Sequence, residues 1–201
     1  MSPAFEWLAV QPYEVMWQKM KVHAALLAEG KADEVIWACE HKPVYTTGKR
    51  AIDNRLDVVL PAPLIETDRG GETTFHGRGQ VMLYPIISLR KRGFTARQYI
   101  ELLEESAIQV LSDYGITAER RCGLPGVWTN KGKIVAMGIR ISQGVAYHGM
   151  AMNMAVDMTY FKAINPCGLG QNTVNMQDSL DVLPSSNVLA QVWSTALRDL
   201  L

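Results

Sequence analysis

The 201-residue sequence has no excess of either charge: twenty Lys and Arg balance twenty Asp and Glu. A strong electrostatic attraction to nucleic acid or to an anionic membrane has no compositional support, so partners must be recognised locally. Cysteine is scarce. Cys39, Cys122 and Cys167 form an odd, widely separated set, which argues against a disulfide scaffold and against paired zinc knuckles. Cys39-x-His41 has the wrong spacing for a structural zinc clip, and no metal is expected. No stretch approaches the roughly 18 apolar residues of a spanning helix. The opening Met-Ser-Pro-Ala-Phe-Glu-Trp lacks the basic flank and apolar run of a signal peptide. The expectation is a soluble, cytoplasmic protein. With 48% hydrophobic residues the chain can bury a full core, and residues 1–201 read as one domain without internal repeats.

What the chain does have is glycine, concentrated in one place. Residues 69 to 86 read Arg-Gly-Gly-Glu-Thr-Thr-Phe-His-Gly-Arg-Gly-Gln-Val-Met-Leu-Tyr-Pro-Ile. Gly70, Gly71, Gly77 and Gly79 imply two tight turns flanking Glu72 to His76, because glycine permits positive φ and lets backbone approach a ligand closely. Thr73, Thr74 and Phe75 are strand formers, so a short strand carries Arg69 and His76 to its two ends. Spacing alone leaves two readings open, a hairpin with solvated charges and a ligand-binding loop. A phosphate-cradling P-loop is excluded, since Gly77 is followed by Arg-Gly in place of Lys-Ser/Thr.

Elsewhere the patterns are ordinary. Pro12 to Ala28 aligns Met16, Met20, Ala24 and Leu27 on one helical face, with Gly30 as a stop. Glu34 to Cys39 reads as a buried strand with His41 at its end, Pro43 to Gly48 as a loop, Lys49 to Arg55 as an exposed connection, and Leu64 to Asp68 as extended. Gln80 to Leu89 is a strand expected to end, bulge or lie at an edge at Pro85. Thr95-Ala-Arg-Gln98 is a capping box opening a helix whose stripe is Ile100, Leu103, Ala107, Val110 and Tyr114, ended by Gly115. Thr117 to Cys122 is a candidate strand, and Val127 to Thr129 pairs with Lys133 to Ser142 through a turn at Asn130-Lys-Gly132. Gly144 to Val156 is a strand sending Ala146, His148, Met150, Met152 and Met154 to one face and Tyr147, Gly149, Ala151, Asn153 and Ala155 to the other. Small residues at Ala136, Gly138, Gly149 and Ala151 fit either a slot or close strand packing. Asn165-Pro-Cys167-Gly-Leu-Gly170 is a turn, and Ser186 or Asn187 caps a last helix through Leu200, with Leu189, Val192, Trp193 and Ala196 inward. The order of elements gives an α+β fold with a mixed, largely antiparallel sheet and packed helices.

The glycine stretch, followed by Tyr84-Pro-Ile, resembles the signature of lipoyl(octanoyl) transferases, the octanoyl-[acyl-carrier-protein]:protein N-octanoyltransferases. Two further blocks match: Glu40-His41-x-Pro43-Val-Tyr-Thr, and Lys133 through Cys167 with Gly-Ile-Arg140, His148-Gly-x-Ala151-x-Asn153, Asp157, Phe161 and Pro-Cys167-Gly. Arg78 departs from the proline usual in such families, and a cation there is expected to help dock an acidic carrier. The resemblance implies the biotin and lipoate protein ligase fold. It implies a catalytic dyad of Cys167 and Lys133, with substrate bound by Arg69, Gly70, Gly71, Glu72, Thr73, Thr74, Phe75 and His76, by Ala136, Met137 and Gly138, and by Gly149, Met150 and Ala151. His148 would support the dyad or position a pantetheine arm. The implied donor is octanoyl-acyl carrier protein, and the implied acceptors are lipoyl domains of 2-oxoacid dehydrogenases or the glycine cleavage H protein; no cofactor, nucleic acid or membrane is involved.

The chemistry of those residue types fits. A cysteine is nucleophilic only as thiolate, with a reference pKa near 8.5, and needs a neighbouring cation or base. Lys133 serves either as an ammonium stabilising the thiolate or as a neutral amine taking its proton, and a separation of 34 residues along the chain does not decide contact. An acyl thioester donor makes ATP unnecessary. Two rival readings remain: an ATP-dependent lipoate or biotin protein ligase, which does not need Cys167, and a non-catalytic module that only holds an acylated carrier.

Overall fold

The structure is a computed structural model describing residues 2–49, 60–164 and 172–201. At its centre lies a seven-stranded sheet in the order β1-β2-β6-β10-β9-β8-β7. Its strands are Ala4–Gln11 (β1), Val35–His41 (β2), Gln80–Ser88 (β6), Glu119–Arg121 (β7), Leu124–Trp128 (β8), Lys133–Ser142 (β9) and Val145–Asn153 (β10). β1 and β2 are parallel and the other neighbours antiparallel. A second sheet, β4-β3-β5, joins Leu64–Glu66 (β4), Val44–Thr47 (β3) and Thr74–His76 (β5). This is the expected α+β architecture, with a mixed and largely antiparallel sheet.

Three long helices cover the central sheet. Tyr13–Ala28 (α1) buries Met16, Met20, Ala24 and Leu27, the stripe its spacing predicts, against Trp37, Cys39, Met82 and Tyr84. Gly30 follows at φ 74°. The other face is packed by Ala96–Asp113 (α3) and Ser186–Leu200 (α5), where Leu103, Val110, Leu189 and Trp193 meet Ile36, Leu83, Met150 and Met152. Both halves of the Thr95/Gln98 capping box form at the start of α3. The cap of α5 is Ser185, whose hydroxyl accepts from the Val188 N–H, one residue earlier than expected. Among the described residues there are also short helices Leu89–Arg92 (α2) and Thr159–Lys162 (α4) and a 3-10 turn at Met176–Asp178.

Four features depart from the sequence pattern. β1 was not anticipated, because the left-handed Ala9 (φ 54°) and a register shift between Trp7 and Val10 spoil its alternation. Pro43 to Gly48 contains β3 instead of a loop, since Val44 to Thr46 find partners in β5. Pro85 neither ends β6 nor marks an edge; β6 is flanked by β2 and β10. Its missing N–H is tolerated because the β6–β10 pairing stops at Ile87–Ala146 and resumes at Leu83–Met150. Within that gap His148 has φ 61°. This left-handed residue cancels strand alternation, so His148 points with Tyr147 toward Asp68 and not with the methionines as the period of two predicts. The expected connection beyond Lys49 and the turn around Cys167 lie outside the described residues.

Gly149 sits at the same place. A Cβ there would meet the Leu83 carbonyl oxygen at 2.0 Å, whereas one at Gly30 meets nothing within 4 Å. Gly149→Ala is expected to lower stability by on the order of 3 kcal/mol through overpacking, against about 1 kcal/mol for Gly30→Ala from its positive φ alone. Urea unfolding midpoints check this, and equal losses would contradict it.

Candidate active site

Between the glycine loop and strands β9 and β10 lies a cavity of about 140 Å³, enough for roughly ten water-sized groups. Of the residues singled out in the sequence, Arg69, Gly71, Glu72, Thr73, Thr74, His76, Lys133, Ala136, Met137, Gly138, His148, Gly149, Met150 and Ala151 all line it. Gly70 and Phe75 lie beside it. The Gly70 N–H is bound to the Ile139 carbonyl at 2.9 Å, and the Phe75 ring stacks on Tyr160 at 4.2 Å within the core of the small sheet. The small residues do open a slot, and they also allow close approach: a Cβ at Gly138 would meet the Gly70 carbonyl at 2.7 Å. Only Gly71 and Gly79 of the four loop glycines have positive φ, 90° and 77°. Arg78 is largely exposed and reaches Glu40 at 3.7 Å.

The loop is fastened by Arg69, which is 6% exposed. Its guanidinium donates to the Thr46 carbonyl (2.6 Å), the Thr46 hydroxyl (2.9 Å), the Glu72 carbonyl (2.7 Å) and the Gly70 carbonyl (2.9 Å). Around it stand three buried histidines whose tautomers follow from their partners. His76 donates from Nδ1 to Gln80 Oε1 at 2.8 Å, because the Gln80 amide nitrogen already donates to Asn153 Oδ1. Its Nε2 accepts from Thr46. His41 donates from Nδ1 to the Gln11 carbonyl and accepts from the Tyr84 hydroxyl at 2.7 Å. His148 donates from Nε2 to Asp68 at 2.8 Å and presents Nδ1 to the Tyr13 hydroxyl at 3.5 Å.

Charge follows from burial. His41 is pushed down to about 4 by burial, against the opposing Gln11 hydrogen bond. His76 lies well below the ordinary histidine value through burial, then through His41 and Arg69. His148 is lowered by burial despite the opposing pull of Asp68. Burial works to raise Asp68, but hydrogen bonds from His148, Tyr147 and Trp17 prevail and hold it ionised well below the usual carboxylate range. Tyr13, buried beside it, is pushed up to about 12. Sequence reasoning missed Asp68 and Tyr13. The first adjoins Arg69 and was legible as an acid beside the loop, while the second carries no sequence signal.

At the opposite end of the cavity Lys133 opens β9. Its Nζ donates to the Pro125 carbonyl at 3.0 Å and lies 4.6 Å from the Trp128 ring centre. Its backbone N–H donates to Asn172 and its carbonyl accepts from Val174. Cys167 lies outside the described residues. Among the described residues no group of three or more His, Cys, Asp or Glu is arranged to hold a metal ion, and no helix is long and apolar enough to cross a membrane.

Fold and cavity define a catalytic domain of the class described as the lipoyl protein ligase A/B catalytic domain, whose family model matches residues 12–198. An octanoyltransferase of Aromatoleum aromaticum is 42% identical over 167 residues, covering 83% of this chain and 72% of that protein. One from Coxiella burnetii is 38% identical over 189 residues, covering 94% and 78%. The chain belongs to the lipoyl(octanoyl) transferase family. Solved structures show the same fold at low identity. Lipoate-protein ligase A bound with ATP superimposes with a TM-score of 0.72 at 15% identity, covering 98% of this chain and 86% of that one. The biotin protein ligase of Aquifex aeolicus gives 0.57 at 10%, covering 100% and 69%.

The lowered histidines make stability depend on pH in one direction. Below the unfolded value near 6.5, the unfolded chain binds protons that the folded site refuses, so stability present above pH 6.5 is lost as pH falls toward 4. His41 alone, held at about 4, accounts for on the order of 3 kcal/mol over that window. Asp68 acts in the same sense below about pH 4. Urea midpoints should fall from pH 7 to pH 5, and the fall should be shallower in His41→Gln. A midpoint independent of pH would contradict the neutral-histidine network.

Proposed function

We propose that this octanoyltransferase works through an acyl-enzyme on Cys167, with octanoyl-acyl carrier protein as donor and a lysine of a lipoyl domain as acceptor. The observation that carries this reading is the convergence of Lys133 with the glycine loop and the small-residue stripe on one cavity. Asn172, five residues after Cys167, is hydrogen-bonded to the Lys133 backbone, and five residues of chain span at most ~18 Å.

In the first step the Cys167 thiol gives up its proton with the help of Lys133. The thiolate sulfur then bonds to the thioester carbonyl carbon while the carrier's carbon–sulfur bond breaks, and the carrier leaves as a thiol on taking a proton. One thioester replaces another, so no ATP enters. In the second step the acceptor lysine amine attacks the acyl-enzyme, loses a proton toward Lys133, and expels the Cys167 thiolate. An amide replaces a thioester, which drives transfer forward. Six methylenes in the cavity contribute on the order of 5 kcal/mol at about 0.8 kcal/mol each, and the slot beside Ala136, Gly138 and Ala151 is where they fit. Lipoyl domains of 2-oxoacid dehydrogenases and the H protein of glycine cleavage are the acceptors proposed, and the cytoplasm the place of reaction.

Intact mass after incubation with octanoyl-carrier protein should show one octanoyl adduct on Cys167, absent in Cys167→Ser, with turnover independent of ATP. Full activity of Cys167→Ser accompanied by ATP-dependent pyrophosphate release would favour the ligase reading instead. Lys133→Ala should lower kcat by at least ~100-fold, the usual scale of a lost acid–base group, while the urea midpoint stays near that of the parent. An unchanged rate would remove the lysine from the chemistry.

A further inference from the structure

We propose that Glu104, on α3, is a positioning residue for Lys133 and acts through the single peptide group that joins Pro125 to Gly126. The inference rests on the reading of Lys133 as the acid–base group. Glu104 is 6% exposed and is the one ionisable acid on the buried face of the helix, among Leu103, Ala107, Val110 and Leu111. Its Oε1 accepts a hydrogen bond from the Gly126 N–H at 2.9 Å. The carbonyl of that same peptide, Pro125 O, accepts from Lys133 Nζ at 3.0 Å. A peptide group is a rigid plane with its N–H and C=O nearly opposed, so fixing one end aims the other. A carboxylate on the N–H also raises the negative charge of the carbonyl oxygen, which strengthens its hold on an ammonium.

The peptide is constrained from both sides. Gly126 has φ 113°, and a Cβ there would meet the Val135 carbonyl at 2.4 Å, so the close approach of β8 to β9 requires glycine. Pro125 fixes its own φ. The Trp128 ring lies 4.6 Å from Nζ and limits where the ammonium can go. An ion pair accounts for only one of the two carboxylate oxygens. Arg120 Nε pairs with Glu104 Oε2 at 3.4 Å, while its Nη2 serves Glu105 and the Glu101 carbonyl, and this leaves Oε1 to the Gly126 N–H. Glu104 is the member of that cluster turned inward, onto the β8 peptide that receives the Lys133 side chain.

Steady-state kinetics with octanoyl-carrier protein on the full chain test this. Glu104→Ala should lower kcat at least ~10-fold through misplacement of the lysine, with KM within ~2-fold because no cavity-lining residue changes. Glu104→Gln keeps an oxygen acceptor for the Gly126 N–H and should restore most of kcat. Arg120→Ala should stay close to the parent. Should Glu104→Ala fail to fold, Glu104→Met fills similar space without the acceptor and should show the same loss. Parent-like kcat in Glu104→Ala or Glu104→Met, or an equal loss in Arg120→Ala, overturns the proposal. Full activity of Lys133→Ala would instead remove the reading on which it rests, so the two failures are told apart.

Discussion

One buried cation holds the site together. Arg69 bridges the carbonyls of Thr46, Gly70 and Glu72, three points on two separate chain segments, and none of these partners is a carboxylate. A buried charge satisfied by dipoles is tolerated because these bonds are charge-assisted, the shortest at 2.6 Å to the Thr46 carbonyl. Its effect is both mechanical and electrostatic. It pulls the glycine loop against β9, where Gly138 leaves room for the Gly70 carbonyl. It also disfavours protonation of His76 and His148. The histidines that line the cavity under the loop, His76 and His148, therefore stay neutral, and the ionised Asp68 is held by the Nε2–H of His148.

The second constraint is the break in the β6–β10 ladder. Pro85 has no N–H to offer, and opposite it His148 adopts a left-handed conformation that histidine tolerates better than most residues. Tyr147 and His148 consequently both reach Asp68, which also accepts from Trp17 of α1 at 2.9 Å. Backbone strain of this kind persists where its surroundings over-determine it, and here three donors on one carboxylate do so. The same break lets α1 place the Tyr13 ring parallel to His76, with centroids 5.7 Å apart, at the buried end of the cavity.

How much of this was readable beforehand depended on range along the chain. The α1 stripe, the Thr95/Gln98 box and the turn at Asn130 to Gly132 are local devices, and the structure has them where the residues indicate. The strand of the glycine stretch forms at Thr74–His76, one residue later than expected, with Arg69 outside it in the bend. β3 and the passage of β6 through Pro85 depend on which strands lie alongside, which periodicity does not encode. His148 was assigned to the wrong face because one φ angle defeats a period of two. The cavity-lining segments were legible as patterned runs and through family resemblance. Glu104 was not, since a lone acid in a helix stripe acquires meaning only from Gly126, 22 residues away in sequence. Asp68 is legible as an acid next to Arg69, but its three donors come from two other elements and are not.

The proposed reaction requires the acyl chain to lie between the glycine loop and the small-residue stripe of β9 and β10. Isotope-filtered nuclear Overhauser contacts from a bound octanoyl chain to methyl-labelled alanines measure this directly. Contacts are expected from the acyl methylenes to the methyls of Ala136 and Ala151, which line the cavity from paired positions on adjacent strands. Contacts confined to exposed apolar residues such as Val22 and Leu26 on the outer face of α1, with the Ala136 and Ala151 signals unmoved, would contradict it.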